Sequence, residues 1–157
     1  MPDTQKMIAP NSDFEKRVKE SFRRQSFMDT LGVRLGKVEA GYVELELPFN
    51  EGLCQQHGFF HGGVISTLVD NSCGFASFTM MPAHATVLTV EFKVNILSPG
   101  IGDKLVAKAQ VKKAGRKLVI SQSDIFAVKD GEEKLCATGI GTMMVMENLE
   151  DSAPLKG

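Results

Sequence analysis

The 157-residue sequence lacks most features that would tie it to a special environment. It has no surplus of one charge: 18 Lys and Arg stand against 19 Asp and Glu, a formal charge of −1. That balance leaves no electrostatic footprint for nucleic acid or an anionic membrane surface. It has only three cysteines, an odd and scattered set, which argues against a disulfide framework. No apolar run approaches the ~20 residues that span a bilayer, and Met1 to Lys6 hold no apolar signal core. There is no CxxC, HExxH, GxSxG or phosphate-binding P-loop pattern. These absences point to a cytoplasmic protein of a reducing compartment, with no nucleic acid or membrane partner and no cofactor or metal.

What is present suits one globular domain. Hydrophobic residues make up 43% and charged residues 24%, and a domain of this length hides roughly 70% of the surface of its unfolded chain. A helix is expected from Ser12, with Glu15 completing a capping box. Phe14, Val18, Phe22 and Phe27 recur near helical spacing, with Lys16, Arg17, Lys19, Arg23 and Arg24 on the wet side. The period then changes to two. Val33–Val38 and Tyr42–Leu47 read as strands around Gly41, and Pro48–Phe60 as a loop. Residues 62–79 form an apolar block without alternation, long enough for a buried helix, and Met80-Met81-Pro82 ends it. Four strands follow. In the first, Leu88, Val90, Phe92, Val94 and Ile96 share one face, and Thr89, Glu91, Lys93 and Asn95 the other. Short turns at 114–117 and 129–132 separate the last three.

The pattern predicts an α+β fold: a curved antiparallel sheet of about six strands wrapped round one central helix, with an extra N-terminal helix. The central helix is apolar nearly all round, so the sheet or a second subunit must cover what one flat face cannot. Gly139 and Gly141 suit close approach of that helix. Residues 1–29 form an N-terminal tail and helix, 30–146 the domain, and 147–157 a loose tail.

Two features look wrong for stability alone. The central helix starts at His61-Gly62-Gly63, with no Ser, Thr, Asp or Asn to cap it. Its first amides must find a partner, and an anion or developing oxyanion is a good one; the alternative is a turn that merely needs glycine. Second, Asp70 lies two turns into the helix, where an unpaired carboxylate costs several kcal/mol. Asn71 and Ser66 could satisfy it as a structural plug. Otherwise it is a general base or nucleophile, and with the helix start it has the parts that acyl transfer to water requires. His57, His61 and Cys54 do not align as metal ligands, because Gly58 breaks the helix that would bring them together. Cys73 and Cys136 fit apolar faces as small core residues. Lys112, Lys113, Arg116 and Lys117 surround Gly115, either as a solvated hairpin tip or as a phosphate site.

The His61-Gly62-Gly63 turn, Asp70, the segment Thr89–Pro99 and the closing Cys136–Thr142 together resemble hotdog-fold acyl-CoA thioesterases of the phenylacetate-pathway (PaaI) type. The resemblance covers roughly residues 30–146. It implies hydrolysis of aryl- or medium-chain acyl-CoA to free acid and CoA. The Gly62 amide would polarise the thioester carbonyl, with His61 in the same turn, and Asp70 would activate water or attack directly. Gln55 would place substrate or water, and Thr89 would orient water. Gly63, Phe59 and Asn71 would line the substrate, and Gly115, Arg116 and Lys117 would lie near the CoA nucleotide. It also implies a homodimer, because Asp70 belongs to the neighbouring subunit's site, and dimers paired into a homotetramer. A non-catalytic acyl-CoA sensor and a hotdog dehydratase or hydratase are the competing readings.

Overall fold

The computed structural model describes residues 6–152 and 154. Residues 1–5, 153 and 155–157 of the expected tails lie outside the described residues. The elements are α1 (Phe14–Arg23), α2 (Ser26–Leu31), β1 (Arg34–Glu39), β2 (Tyr42–Pro48), a 3-10 turn at Glu51–Leu53, α3 (Gly62–Phe78), β3 (Ala85–Ile96), β4 (Lys104–Ala114), β5 (Leu118–Lys129) and β6 (Glu132–Glu147). The six strands form one sheet in the order β1-β2-β4-β5-β6-β3, and every neighbouring pair is antiparallel. No described helix is long and apolar enough to cross a membrane.

Strict alternation builds the inner face. Val43, Leu45 and Leu47 of β2 are fully buried and lie opposite Ala109, Ala107 and Leu105 of β4. Gly41, at φ +77°, makes the tight turn from β1. The sheet curls round α3, which packs against β2 through β6. Contact is closest at β6, where the absence of side chains is required. A Cβ on Gly139 would stand 2.5 Å from Val69 Cγ1, and one on Gly141 would stand 3.3 Å from Cys73 Cβ. Ser72 and Ser77 of α3 bond Ser123 and Ser121 of β5 at 2.7 Å, so the buried interface also carries matched hydroxyls. This is the expected hotdog arrangement.

Five expectations change. The N-terminal helix is two helices, because Gln25 is extended (φ −85°, ψ 93°) and bends the chain between α1 and α2. The capping box does not form: the N-cap is Asp13 without a side-chain bond, and Glu15 reaches forward to Lys19. Arg17 is not on the wet side, for it bonds Pro82 O at 2.8 Å and lies over the Phe78 ring. Nor is α3 apolar nearly all round. Ser66, Thr67, Asp70, Asn71 and Gly74 form a half-buried stripe, of which Asp70 meets the β3 edge at Thr89 and Asn71 meets Gln25 between α1 and α2.

The fifth change concerns β3. Thr89 pairs with Met143, but Glu91 pairs with Thr142, so Val90 is an extra residue in a β-bulge. Before the bulge Val87 and Thr89 face α3; after it Phe92, Val94 and Ile96 do. Thr89 therefore shares the helix-facing side with residues that simple alternation puts opposite it. β3 is also an edge strand, and it leaves Leu88, Val90, Phe92 and Ile96 exposed.

Candidate active site

The loop before α3 is a small self-bonded turn. Gln55 N donates to Phe59 O at 2.9 Å, Gly58 N to Gln55 O at 3.0 Å, and Gly58 takes φ +83°. The Gln55 Oε1 accepts from the backbone N–H groups of His57 and Phe59, which leaves Nε2 as the free end of that side chain. His61 N then donates to Leu53 O at 2.9 Å, fixing where the helix begins.

The helix start is not uncapped. His61 is the N-cap, in extended conformation (φ −61°, ψ 140°), and its Nδ1 accepts from Gly63 N at 2.8 Å. With Nδ1 accepting, the neutral ring carries its proton on Nε2. The Gly63 amide is thereby committed and cannot serve a ligand. Val64 N and Ile65 N donate to His61 O at 3.0 and 3.1 Å. The Gly62 N–H alone in this first turn has no partner among the described residues. It opens with Gln55, Phe59 and Ile96 on a cavity of about 510 Å³.

Asp70 is held from the edge strand β3. Thr89 Oγ1 donates to Asp70 Oδ1 at 2.8 Å, a contact that the Val90 bulge makes possible. The two local partners expected from sequence are engaged elsewhere. Ser66 donates to Gly62 O at 2.8 Å, and Asn71 Nδ2 donates to Gln25 Oε1 at 2.7 Å. Asn71 Oδ1 is buried and has no partner among the described residues. Asp70 stands between a groove of about 550 Å³, shared with Arg24, Gln25, Phe27, Gly63 and Phe92, and a cavity of about 200 Å³, shared with Phe75, Thr89 and Asp151. Gln25, Phe27 and Asp151 were not found from sequence. Nothing local marks them, since they reach the site only through the α1–α2 bend and the return of the chain after β6.

Burial, and then the charge of Asp70, push the Cys73 thiol up to about 12. It stays protonated at neutral pH and is no nucleophile. Among the described residues no three His, Cys, Asp or Glu side chains converge to hold a metal ion.

The residues predicted from sequence therefore fall into three places. Gln55, Phe59 and Gly62 share one cavity; Gly63, Asp70, Asn71 and Thr89 border the space on the other side of α3. Gly62 and Asp70 are eight residues apart on one helix, about 12 Å along its axis. Gly115, Arg116 and Lys117 form the β4–β5 turn, outside both. A Cβ on Gly115 would meet Leu118 O at 2.6 Å. The four cations of that turn pair with no acid among the described residues.

Comparison with known proteins bears on this geometry. Residues 57–134 match the family described as the Thioesterase superfamily. A solved thioesterase family protein from Silicibacter pomeroyi is 44% identical, with a TM-score of 0.84 over 85% of this chain and 98% of that one. A provisionally named esterase of Saccharolobus solfataricus is 32% identical over 138 residues, covering 88% of this chain and 89% of that protein. Acyl-coenzyme A thioesterase 13 of Homo sapiens is 27% identical over 135 residues, covering 85% and 94%.

Proposed function

The chain belongs to the thioesterase superfamily, and from that premise we propose that it hydrolyses acyl-CoA thioesters, aryl or medium-chain, to the free acid and CoA. The observation that carries the proposal is the contrast along α3. A free Gly62 amide opens one cavity, and a Thr89-held carboxylate at Asp70 opens another. The first can accept a developing oxyanion, and the second can take a proton from water.

At about 12 Å apart, the two cannot act on one carbonyl within one chain. A second copy resolves this. Along β3, Thr89 lies at the Asp70 end, and Ile96 lies at the Gly62 end, its Cδ1 3.1 Å from a Cβ built there. Two β3 edges paired antiparallel about a twofold axis would set each copy's Thr89 end beside the other's Ile96 end. Asp70 of one copy then faces Gly62 of the other. The same pairing covers the exposed Leu88, Val90, Phe92 and Ile96 edge, which is too long and apolar to leave in water. Leu118, Ile140 and Met144 on the outer face of the sheet offer a further surface for dimers to pair into a tetramer.

In the composite site, Gly62 N–H bonds the thioester carbonyl oxygen, and the free Gln55 amide end steadies substrate or water. Water, losing its proton to Asp70, adds to the carbonyl carbon. The oxyanion rests on Gly62 until the carbon–sulfur bond breaks, and the thiolate takes the proton back from Asp70. Direct attack by Asp70 would pass instead through an anhydride that water then opens. Thr89 keeps Oδ1 occupied and so presents Oδ2. The Gly115-Arg116-Lys117 turn supplies unpaired cations for the coenzyme's phosphates.

The test is free-thiol release from a panel of acyl-CoAs by the wild-type chain and by Asp70→Asn. Release that depends on Asp70 supports the proposal. Tight binding with no release from any acyl-CoA would refute hydrolysis and favour a sensor, and formation of an enoyl thioester from a hydroxyacyl-CoA would point to a dehydratase.

A further inference from the structure

Two opposite charges stand two residues apart on the free edge of β3, and neither has an ion partner among the described residues. Resting on the composite acyl-CoA site above, which one chain leaves incomplete, we propose that Glu91 and Lys93 fix the register in which two copies of this chain pair along β3.

Both residues are exposed, and both lie on the side of the strand opposite the helix-facing Phe92. Thr142 Oγ1 donates to Glu91 Oε1, which steadies the carboxylate without neutralising it. Around them Leu88, Val90, Phe92 and Ile96 are exposed apolar residues. An edge of this kind invites a second strand, but its apolar residues do not say where along it the second strand should stop. The charges do.

A twofold axis perpendicular to the sheet keeps both copies of α3 on one side and sets one residue of β3 opposite itself. With the axis at Phe92, each Glu91 faces the other copy's Lys93, so the pair forms twice. With the axis at Glu91 or at Lys93, like charges stand directly opposite, which destabilises a strand pair. Either slip also slides the strands by two residues, about 7 Å. That distance carries Asp70 of one copy out of reach of a carbonyl held by Gly62 of the other.

The bulge agrees with the same axis. With Val90 as the extra residue, as it is against β6, Thr89 falls opposite the other copy's Val94, and both face inward. Counted without the bulge, Thr89 would oppose Asn95, which alternates outward. Thr89, and Asp70 with it, then stands beside the other copy's Ile96, whose tip borders Gly62. Glu91 and Lys93 touch no reacting atom. They are positioning residues that act through the register.

The axis can be read directly, because a cysteine placed on it meets itself. Glu91→Cys, Phe92→Cys and Lys93→Cys are each made in the full chain and mildly oxidised, with the wild type as the control for Cys54. Phe92→Cys alone should give a disulfide-linked dimer, since Cβ atoms directly opposite stand about 5 Å apart. Cross-linking at 91 or 93, or at none of the three, would overturn the register. Should Phe92→Cys not fold, charge reversal reads the same contact. Glu91→Lys and Lys93→Glu should each weaken dimerisation at low salt about tenfold or more, by sedimentation, and lower kcat with it. The double reversal re-forms both pairs and should return both readings to within about threefold of wild type. Single variants that dimerise like wild type, or a double variant as weak as either single, would overturn the proposal. Failure here is separable from failure of the reading it rests on. Cross-linking at Phe92→Cys with no thiol release by the wild type refutes hydrolysis alone, whereas thiol release with cross-linking at 91 or 93 refutes the register alone.

Discussion

The two working ends of α3 are made of different materials. At the start, the proposed oxyanion donor is a backbone amide, exposed because Gly62 has no side chain and because His61 caps Gly63 rather than Gly62. Two turns on, it is a side chain, Asp70, held by another side chain, Thr89, that a bulge turns toward it. A backbone group survives most substitutions at its own position. A side-chain group does not survive even the change of one atom. The first half of the site is built to be robust and the second to be exacting, and substitutions should show that asymmetry.

The largest effect is expected at Asp70. Asp70→Asn keeps size and the Thr89 contact but cannot take a proton, so kcat should fall about a thousandfold with the melting temperature little changed. Activity within tenfold of wild type would break the comparison at its exacting end. At the other end only removal of the N–H itself should matter. Gly62→Pro does that: proline is accepted at the first helical position, and His61 already has the extended ψ that must precede it. Thiol release should drop roughly 10²–10³-fold. Gly62→Ala keeps the amide, and its Cβ meets only the flexible tip of Ile96 at 3.1 Å, so it should retain activity within a few-fold; equal losses in both variants would remove the amide from the argument. Thr89→Val should lower kcat about tenfold with KM little changed, because Asp70 loses its fixed orientation. Thr89→Ser should restore the rate, which a purely structural loss would not allow. The smallest effect belongs to the cap. His61→Ala should cost about 0.5–2 kcal/mol in denaturant unfolding while changing kcat only a few-fold.

Sequence alone made the robust half of the site legible, and less of the exacting half. Gly62 and Asp70 stand out locally, one as glycine at a helix start, the other as a carboxylate among apolar neighbours. The six strands declare themselves through alternation, and α3 through the length of its apolar block. The His61 cap was missed because imidazole is not among the usual capping groups. The break at Gln25 was missed because Phe22 and Phe27 keep nearly helical spacing across it. The polar stripe on α3 was hidden by small residues, Ser66, Thr67 and Gly74, that suit a buried helix equally well. Asp151 has no local signal at all: its partners, Arg24 and Thr86, are 127 and 65 residues away.

The extra residue at Val90 makes β3 a strand written in two parities. Odd-numbered residues point inward before it, and even-numbered residues after it. Apolar residues at Leu88, Val90 and Phe92 conceal the change, since an unbroken reading of them looks regular. Removing Val90 would leave every remaining side chain chemically intact and yet put the first half of the strand out of phase with the second. Either Thr89 would turn away from Asp70, or Val94 would leave its packing against the core and Phe92 and Ile96 would leave the helix-facing side. The alignment of Thr89 with Asp70 is thus partly a matter of counting, and a family comparison that tracks residue types but not insertions would pass over it.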